Sequence, residues 1–285
     1  MKKTILITGA TDGIGLEAAK LFAADGHDLL IHGRSPEKLA AVKTLLSAIE
    51  NAGSITGYLA DLSDFSDVKK LVNKIKAEHN VLNVLINNAG VFKTPDTITS
   101  DGLDSRFVVN TIAPYFISQH LLPLLVNSKK SSLDEASYPG RIINLSSAAQ
   151  APLDIAAFLG ETQKVKSLSD MEAYAQSKLA ITMWSRTLAE KLAQQPQTIT
   201  VIAVNPGSLL GSKMVKEGFG LVGNDLSVGA KILNRMALES GIERHSGQYF
   251  DNDSGQFAAA HLDVMDNQKS DQLIDAMEKI ITRVM

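Results

Sequence analysis

The sequence predicts an α/β fold, a doubly wound and mostly parallel sheet covered by helices on both faces. Three observations carry this reading. Short apolar runs recur without polar alternation, as strands buried on both faces do. An amphipathic helical stretch follows almost every run. No linker and no internal repeat divides the 285 residues, so a single domain over 1–285 is expected.

The elements follow in order. Thr4–Ile7 reads as a buried strand. Ile14–Ala24 reads as a helix, with Gly26 as its stop. Leu29–Ile31 is a second strand. Pro36–Glu50 is a helix with Ser35 as N-cap and Pro36 at the first helical position. Ser54–Leu59 is a strand, Phe65–Ala77 a helix and Val84–Ile86 a fourth strand. A long helical pattern runs from Leu103 to about Val126, and Lys129–Tyr138 reads as a polar loop. Arg141–Leu145 is a strand and Ala173–Ala193 a helix. Thr200–Val204 is a strand, Ser227–Glu239 a helix, Gln248–Phe250 a short strand and Asp271–Val284 a terminal helix. The expected sheet therefore has seven strands.

Composition narrows the function. Lys and Arg number 28 against 31 Asp and Glu, and no basic run stands out, so nucleic-acid binding is not expected. The absence of Cys excludes disulfides, thiolate metal sites and cysteine nucleophiles. The six His are scattered with no pair at ligand spacing, so no metal site is expected. The first apolar run stops at Thr8-Gly9, short of a signal core, and no stretch approaches the ~20 residues of a membrane span. The expectation is a soluble cytoplasmic protein.

The chemistry concentrates at the ends of the strands. Thr8-Gly-Ala-Thr-Asp-Gly-Ile-Gly15 joins the first strand to the first helix. Gly9, Gly13 and Gly15 allow a tight turn and close approach to a pyrophosphate. The helix N-terminus adds N–H donors and the positive end of a dipole. This places the fold in the Rossmann type. Tyr174 and Lys178 lie four apart, hence on one helix face, with an ammonium beside a phenol. A nearby cation favours phenolate and eases proton exchange near neutral pH. Ser169-Asp-Met-Glu172 fits a capping box for that helix. Asn110 stands four residues before Pro114, which has no N–H for the Asn110 carbonyl, so a kink and a freed carbonyl are expected there.

The spacing T-G-x-x-x-G-x-G resembles that of the short-chain dehydrogenase/reductase family, and further motifs match it in order along most of the chain. Asp61-Leu62 resembles the pair that holds adenine; a helix-capping role for Asp61 is compatible with that. Asn87-Asn88-Ala89-Gly90 resembles the family's ribose-facing turn. Ser146-Ser147 closes a strand, where adjacent residues point in opposite directions. The resemblance assigns Ser147 to the substrate carbonyl and leaves Ser146 as the alternative. Asn205-Pro206-Gly207, with Leu209 just beyond, corresponds to the nicotinamide end. The resemblance also implies Tyr174 as proton donor and Lys178 as its modulator and ribose ligand. The Asn110 carbonyl is implied as anchor of a relay water.

The resemblance implies a dinucleotide cofactor held by Thr8, Gly9, Asp12, Gly13, Ile14, Gly15, Arg34, Asp61, Leu62, Asn88, Ala89, Gly90, Tyr174, Lys178, Pro206, Gly207 and Leu209. NADP is favoured over NAD. The second strand ends His32-Gly33-Arg34 with no acid for a ribose 2′-hydroxyl, while Arg34, aided by Ser35 and Lys38, suits a 2′-phosphate. Asp12 speaks against this, since relatives that use NADP often carry a basic residue there.

Two departures stand out. Ser147 and Tyr174 are 27 positions apart, about twice the separation of many family members. The extra segment, 148–170, resembles the branch of retinol dehydrogenases and light-dependent protochlorophyllide reductase. Its apolar part, Pro152–Leu159, suggests a hydrophobic substrate body; a surface loop unrelated to substrate is the alternative. The stretch 208–224 carries several glycines and reads as a mobile substrate lid, or else as a protein-interaction loop. Gly211 stands where relatives often have the Thr that contacts the cofactor amide.

The expected activity is NADP(H)-dependent interconversion of a carbonyl and an alcohol. An idle NADP(H)-binding sensor and a reductase of a quinone or C=C bond are the alternatives. A sugar-nucleotide epimerase fits less well, because of the glycine spacing and the lack of a sizeable C-terminal substrate domain. A homodimer or homotetramer pairing through 103–126 and 173–193 and a monomer are both open.

Overall fold

The computed structural model describes residues 1–127, 139–195 and 199–284. The polar loop expected over Lys129–Tyr138 lies outside the described residues. The first half alternates strictly: β1 (Thr4–Ile7), α1 (Gly13–Ala24), β2 (Asp28–Gly33), α2 (Pro36–Ser47), β3 (Ile55–Leu59), α3 (Phe65–Glu78), β4 (Val84–Asn87). Then come α4 (Ser105–Phe107), a π-helical turn (Val108–Ile112), α5 (Ala113–Asn127) and β5 (Gly140–Leu145). Next are α6 (Ile155–Phe158), α7 (Thr162–Ser167), α8 (Asp170–Ala193) and β6 (Ile199–Asn205). The chain closes with α9 (Lys213–Phe219), α10 (Leu226–Leu238), β7 (Tyr249–Asp251), β8 (Gln256–Ala258) and α11 (Asn267–Val284).

One sheet runs in the order β3-β2-β1-β4-β5-β6-β7-β8. Strands β1 to β7 pair in parallel, and β8 is antiparallel to β7. The order reverses beside β1, the crevice where open α/β sheets take ligands. The sheet has eight strands rather than the seven expected. The eighth is three residues long and has no alternation to betray it. A turn over Asp251–Gly255, with Gly255 at φ +72°, folds it back on β7.

Successive strand residues feed two cores, as the pleat requires. Ile5 and Ile7 pack with α1, α2 and α10 residues such as Phe22, Leu46 and Leu233. Leu6 faces the other way, toward Phe107, Leu121, Trp184 and Met277. The long helical pattern expected from Leu103 is broken by the π-helical turn around Asn110. Pro114 has no N–H, so the regular ladder cannot continue past Asn110, and the backbone widens instead of kinking at one residue.

The segment 148–170 is more ordered than a loop. Asp154 caps α6, accepting from the N–H groups of Ala156 and Ala157 at 3.0 and 3.1 Å. Ala157 and Phe158 are fully buried, and the Phe158 ring lies 5.0 Å from that of Phe107. Ala157 and Phe158 therefore belong to the core, Leu153, Ile155 and Leu159 are half-buried against it, and Pro152 is exposed.

Candidate active site

The glycine-rich turn after β1 is built for close approach. Gly9 and Gly13 have φ of +65° and +58°, a region glycine enters without strain. A Cβ on Gly15 would fall 2.4 Å from both the Asn88 amide nitrogen and the Gly9 carbonyl. Asp12 caps α1, accepting from Gly13 N–H at 2.8 Å. The N–H groups of Ile14 and Gly15 have no carbonyl one turn upstream and are available to an anion.

Several expected cofactor residues act from behind this turn. The Thr8 hydroxyl accepts from Asn88 and Ala89 N–H at 3.1 and 3.0 Å. The Asn88 amide donates to the carbonyls of Thr8 and Gly9 at 2.8 and 3.0 Å. These bonds lock the ends of β1 and β4 together. Asp61 accepts from the N–H and hydroxyl of Ser63, while the Leu62 side chain is buried in the core. Asp61 thus shapes its own turn, and α3 is capped by Asp64.

At the end of β2, Arg34 is exposed and forms no ion pair among the described residues. Lys38 reaches Asp12 instead, at 3.2 Å. The acid that stood against NADP is therefore partnered by a lysine of the same surface.

Tyr174, Lys178, Ser147 and Asn110 converge. The capping box expected for α8 is present: Ser169 accepts from Glu172 N–H, and Glu172 accepts from Ser169 N–H. Such a cap contributes about 1 kcal/mol. Buried Arg106 pairs with Asp104 and with Asp170, tying the start of α8 to α4. Burial pushes the Tyr174 phenol up, and the Ser147 hydroxyl beside it works against that rise. Burial pushes the Lys178 amine down to about 8. Its Nζ stands 5.6 Å from the Tyr174 ring centre and donates to the Leu145 carbonyl at 2.7 Å. Of burial and the Ser147 hydroxyl, burial is the larger influence on the phenol.

Asn110 is wholly buried and clamps Val91, accepting from its N–H at 2.8 Å and donating to its carbonyl at 2.9 Å. It also donates to Ser177, whose hydroxyl donates to the Tyr174 carbonyl. A Cβ on Gly90 would lie 3.4 Å from the Asn110 Oδ1 and 3.5 Å from Lys178 Nζ, so the glycine keeps the space between them clear. Ser146 turns away: its hydroxyl bonds Thr182 and the Lys178 carbonyl behind the sheet end. Of the two serines, Ser147 therefore faces Tyr174.

Asn205, Pro206 and Gly207 end β6, and the β7–β8 turn holds them. Asn252 donates to the Pro206 carbonyl at 2.9 Å, and Asp253 accepts from Ser208 N–H at 2.8 Å. Leu209 adopts φ +53° with an exposed side chain, while Leu210 is buried. Met214 of α9 reaches back toward Gly90.

The family model for short chain dehydrogenases matches residues 3–219. The chain belongs to the short-chain dehydrogenase/reductase family. Within it, the chain is 33% identical over 257 residues to retinol dehydrogenase 12 of Bos taurus, covering 87% of this chain and 77% of the relative. It is 30% identical to the chloroplastic short-chain dehydrogenase TIC 32 A of Brassica napus, covering 87% and 79%. The Pseudomonas aeruginosa RhlG/NADP active-site complex superposes with a TM-score of 0.68 at 25% identity, covering 89% of this chain and 95% of that one. As a member of the family, the protein is an oxidoreductase of the class acting on alcohol and carbonyl groups.

Sequence reasoning missed His32, Phe92, Gln150, Ser177, Met214 and Tyr249. Phe92 packs edge-on against Tyr174 with ring centres 5.3 Å apart. Tyr249 and Gln150 both donate to the Ser147 carbonyl, at 3.1 and 3.0 Å. Only His32 carried a local signal, a titratable side chain ending an apolar strand.

Proposed function

We propose that the protein interconverts a carbonyl and an alcohol with NADP(H), using Tyr174 as proton donor and acceptor. The juxtaposition of Ser147 and Lys178 with the Tyr174 phenol carries the reading, because it supplies a hydroxyl and a positive charge beside the group that would exchange the proton. A bound NADPH would supply the hydride for the carbonyl carbon. Ser147 donates to the carbonyl oxygen, and Tyr174 delivers the proton to it. Lys178 supplies positive charge beside the phenol and a donor for ribose hydroxyls. Asn110 holds Val91 and the Tyr174 helix in register, and its carbonyl, which Pro114 cannot serve, is the proposed water anchor.

The donor set suits a dinucleotide. Ile14 and Gly15 N–H groups would hold the pyrophosphate, Asp61 and Leu62 would border the adenine, and Ala89, Gly90, Pro206 and Gly207 the ribose and nicotinamide. Preference for NADP rests on exposed Arg34, on the Asp12–Lys38 pair and on the NADP complexes among related structures. Phe92 beside Tyr174 and the names of the retinol and polyprenol dehydrogenases among the relatives support a hydrophobic substrate. The α5–α8 face is covered by α11, which favours a monomer over pairing through that face. Among the described residues no helix is long and apolar enough to cross a membrane. Cytoplasmic placement stays an expectation that fractionation of a tagged chain checks.

The test is NADPH oxidation across ketones, aldehydes and quinones, with Tyr174→Phe as control. Turnover that vanishes in the variant while NADPH still binds is the expected result. Full activity in Tyr174→Phe overturns the assignment, and silence of the wild type with tight NADPH binding favours the idle sensor.

A further inference from the structure

We propose that His32 is a positioning residue: its imidazole bridges the glycine-rich turn and the Ala60–Asp61 turn, and so fixes the pocket for the adenosine half of the dinucleotide. The inference rests on the cofactor reading above. His32 is 3% exposed at the end of β2, between the two turns. The Gly9 N–H donates to its Nδ1 at 3.1 Å. Its Nε2 stands 3.1 Å from the Ala60 carbonyl oxygen. A carbonyl only accepts, so Nε2 carries the proton and a neutral ring offers its Nδ1 lone pair to Gly9. A single tautomer satisfies both bonds.

The surroundings reinforce the bridge. The main chain repeats it, with Ala10 N–H donating to the His32 carbonyl at 2.9 Å and Ala60 N–H to the Gly33 carbonyl at 3.3 Å. Thr11 lies so close over Gly33 that a Cβ there would fall 2.4 Å from its methyl carbon. The turn Gly9-Ala10-Thr11 is thus laid across His32-Gly33 and anchored at each residue. Burial pushes the imidazole down to about 4, which keeps it neutral; its bond to Ala60 and the nearby Asp61 only partly offset this. The Gly9 N–H is consumed inside the protein. Gly9 therefore shapes the turn rather than donating to phosphate, a task left to Ile14 and Gly15.

The bridge needs one acceptor and one donor about an imidazole apart. Glutamine can offer both from its amide, whereas alanine offers neither. The test compares wild type, H32Q and H32A by NADPH fluorescence titration and by hydrogen exchange at Gly9–Gly15 without cofactor. In H32A the dissociation constant for NADPH should rise on the order of tenfold and the Gly9 amide should lose protection. H32Q should recover most of both. The kcat at saturating NADPH should change little in either variant, since His32 is remote from Tyr174. Unchanged NADPH affinity in H32A overturns this inference alone, as does an equal loss in H32A and H32Q. A wild type that binds neither NADPH nor NADH overturns the cofactor reading and this inference with it. Should H32A fail to fold, 15N NMR of the wild-type imidazole decides: Nε2–H is the tautomer expected, and Nδ1–H overturns the bridge.

Discussion

The ammonium of Lys178 donates at 2.7 Å to the carbonyl of Leu145, the last residue of β5 and the one before the serine pair. Burial lowers its pKa from 10.5 to about 8, while the Tyr174 phenol is pushed up. The first group to lose its proton on the alkaline side is therefore the lysine. We expect kcat/KM for carbonyl reduction to fall with a midpoint near 8. In Lys178→Arg the guanidinium keeps its proton, so the residual activity should lack that limb. pH–rate profiles of both proteins check this, and an unchanged limb in the variant would assign it to another group.

Tyr249→Phe removes one of two donors to the Ser147 carbonyl and leaves Gln150. Burial keeps this phenol protonated, so it is a donor throughout the working pH range. Losing one such bond is worth about 1 kcal/mol, or roughly fivefold in kcat. NADPH affinity should not move. Steady-state kinetics with a fluorescence titration separate the two.

Gly15→Ala drives a methyl group to within 2.4 Å of Asn88 Nδ2 and Gly9 O. One of these neighbours is backbone, so the turn must open. We expect NADPH binding to weaken by at least tenfold and stability to fall by about 2 kcal/mol. Calorimetric titration and urea unfolding measure the pair of effects.

His32 gives stability a pH dependence of known sign. The folded ring takes a proton near 4, and the unfolded one near 6.5. Between these values the unfolded chain binds more protons, so stability falls as pH drops through that window. The loss should reach about 3 kcal/mol by pH 4. His32→Gln, which has nothing to titrate, should lose less over the same range. Urea unfolding at pH 7 and pH 4 gives the difference.

Tyr115 of α5 donates to Glu278 of α11 at 2.6 Å, and Leu273, Met277 and Ile280 join the core that holds Trp184 of α8. Pairing through α5 and α8 would have to displace this helix. Sedimentation velocity should therefore show a 30.6 kDa monomer. A dimer that survives Tyr115→Phe unchanged would place the contact on another face.

The fold was legible where the chain repeats itself. Apolar runs such as Thr4–Ile7 and Thr200–Val204 report burial on both faces, and Ser169 with Glu172 announces its own helix start. The site was legible where chemistry and spacing coincide, as at Tyr174 and Lys178. Relations across the sheet were not. Nothing local to Tyr249 says that it will meet Ser147, and nothing in Pro152–Leu159 separates a core helix from a substrate wall. Strand β8 escaped because Gln256–Ala258 is exposed or half-buried and holds only one large apolar side chain, so no apolar run marks it.

Phe158 inside the core has a consequence for how this enzyme could change its trade. A residue that supports the fold cannot be exchanged freely, so the segment before Tyr174 is a poor place for innovation. Leu221 and Val222 are exposed and answer to no such constraint. A library randomised at those two positions would explore new substrates while the framework beneath them stays as it is.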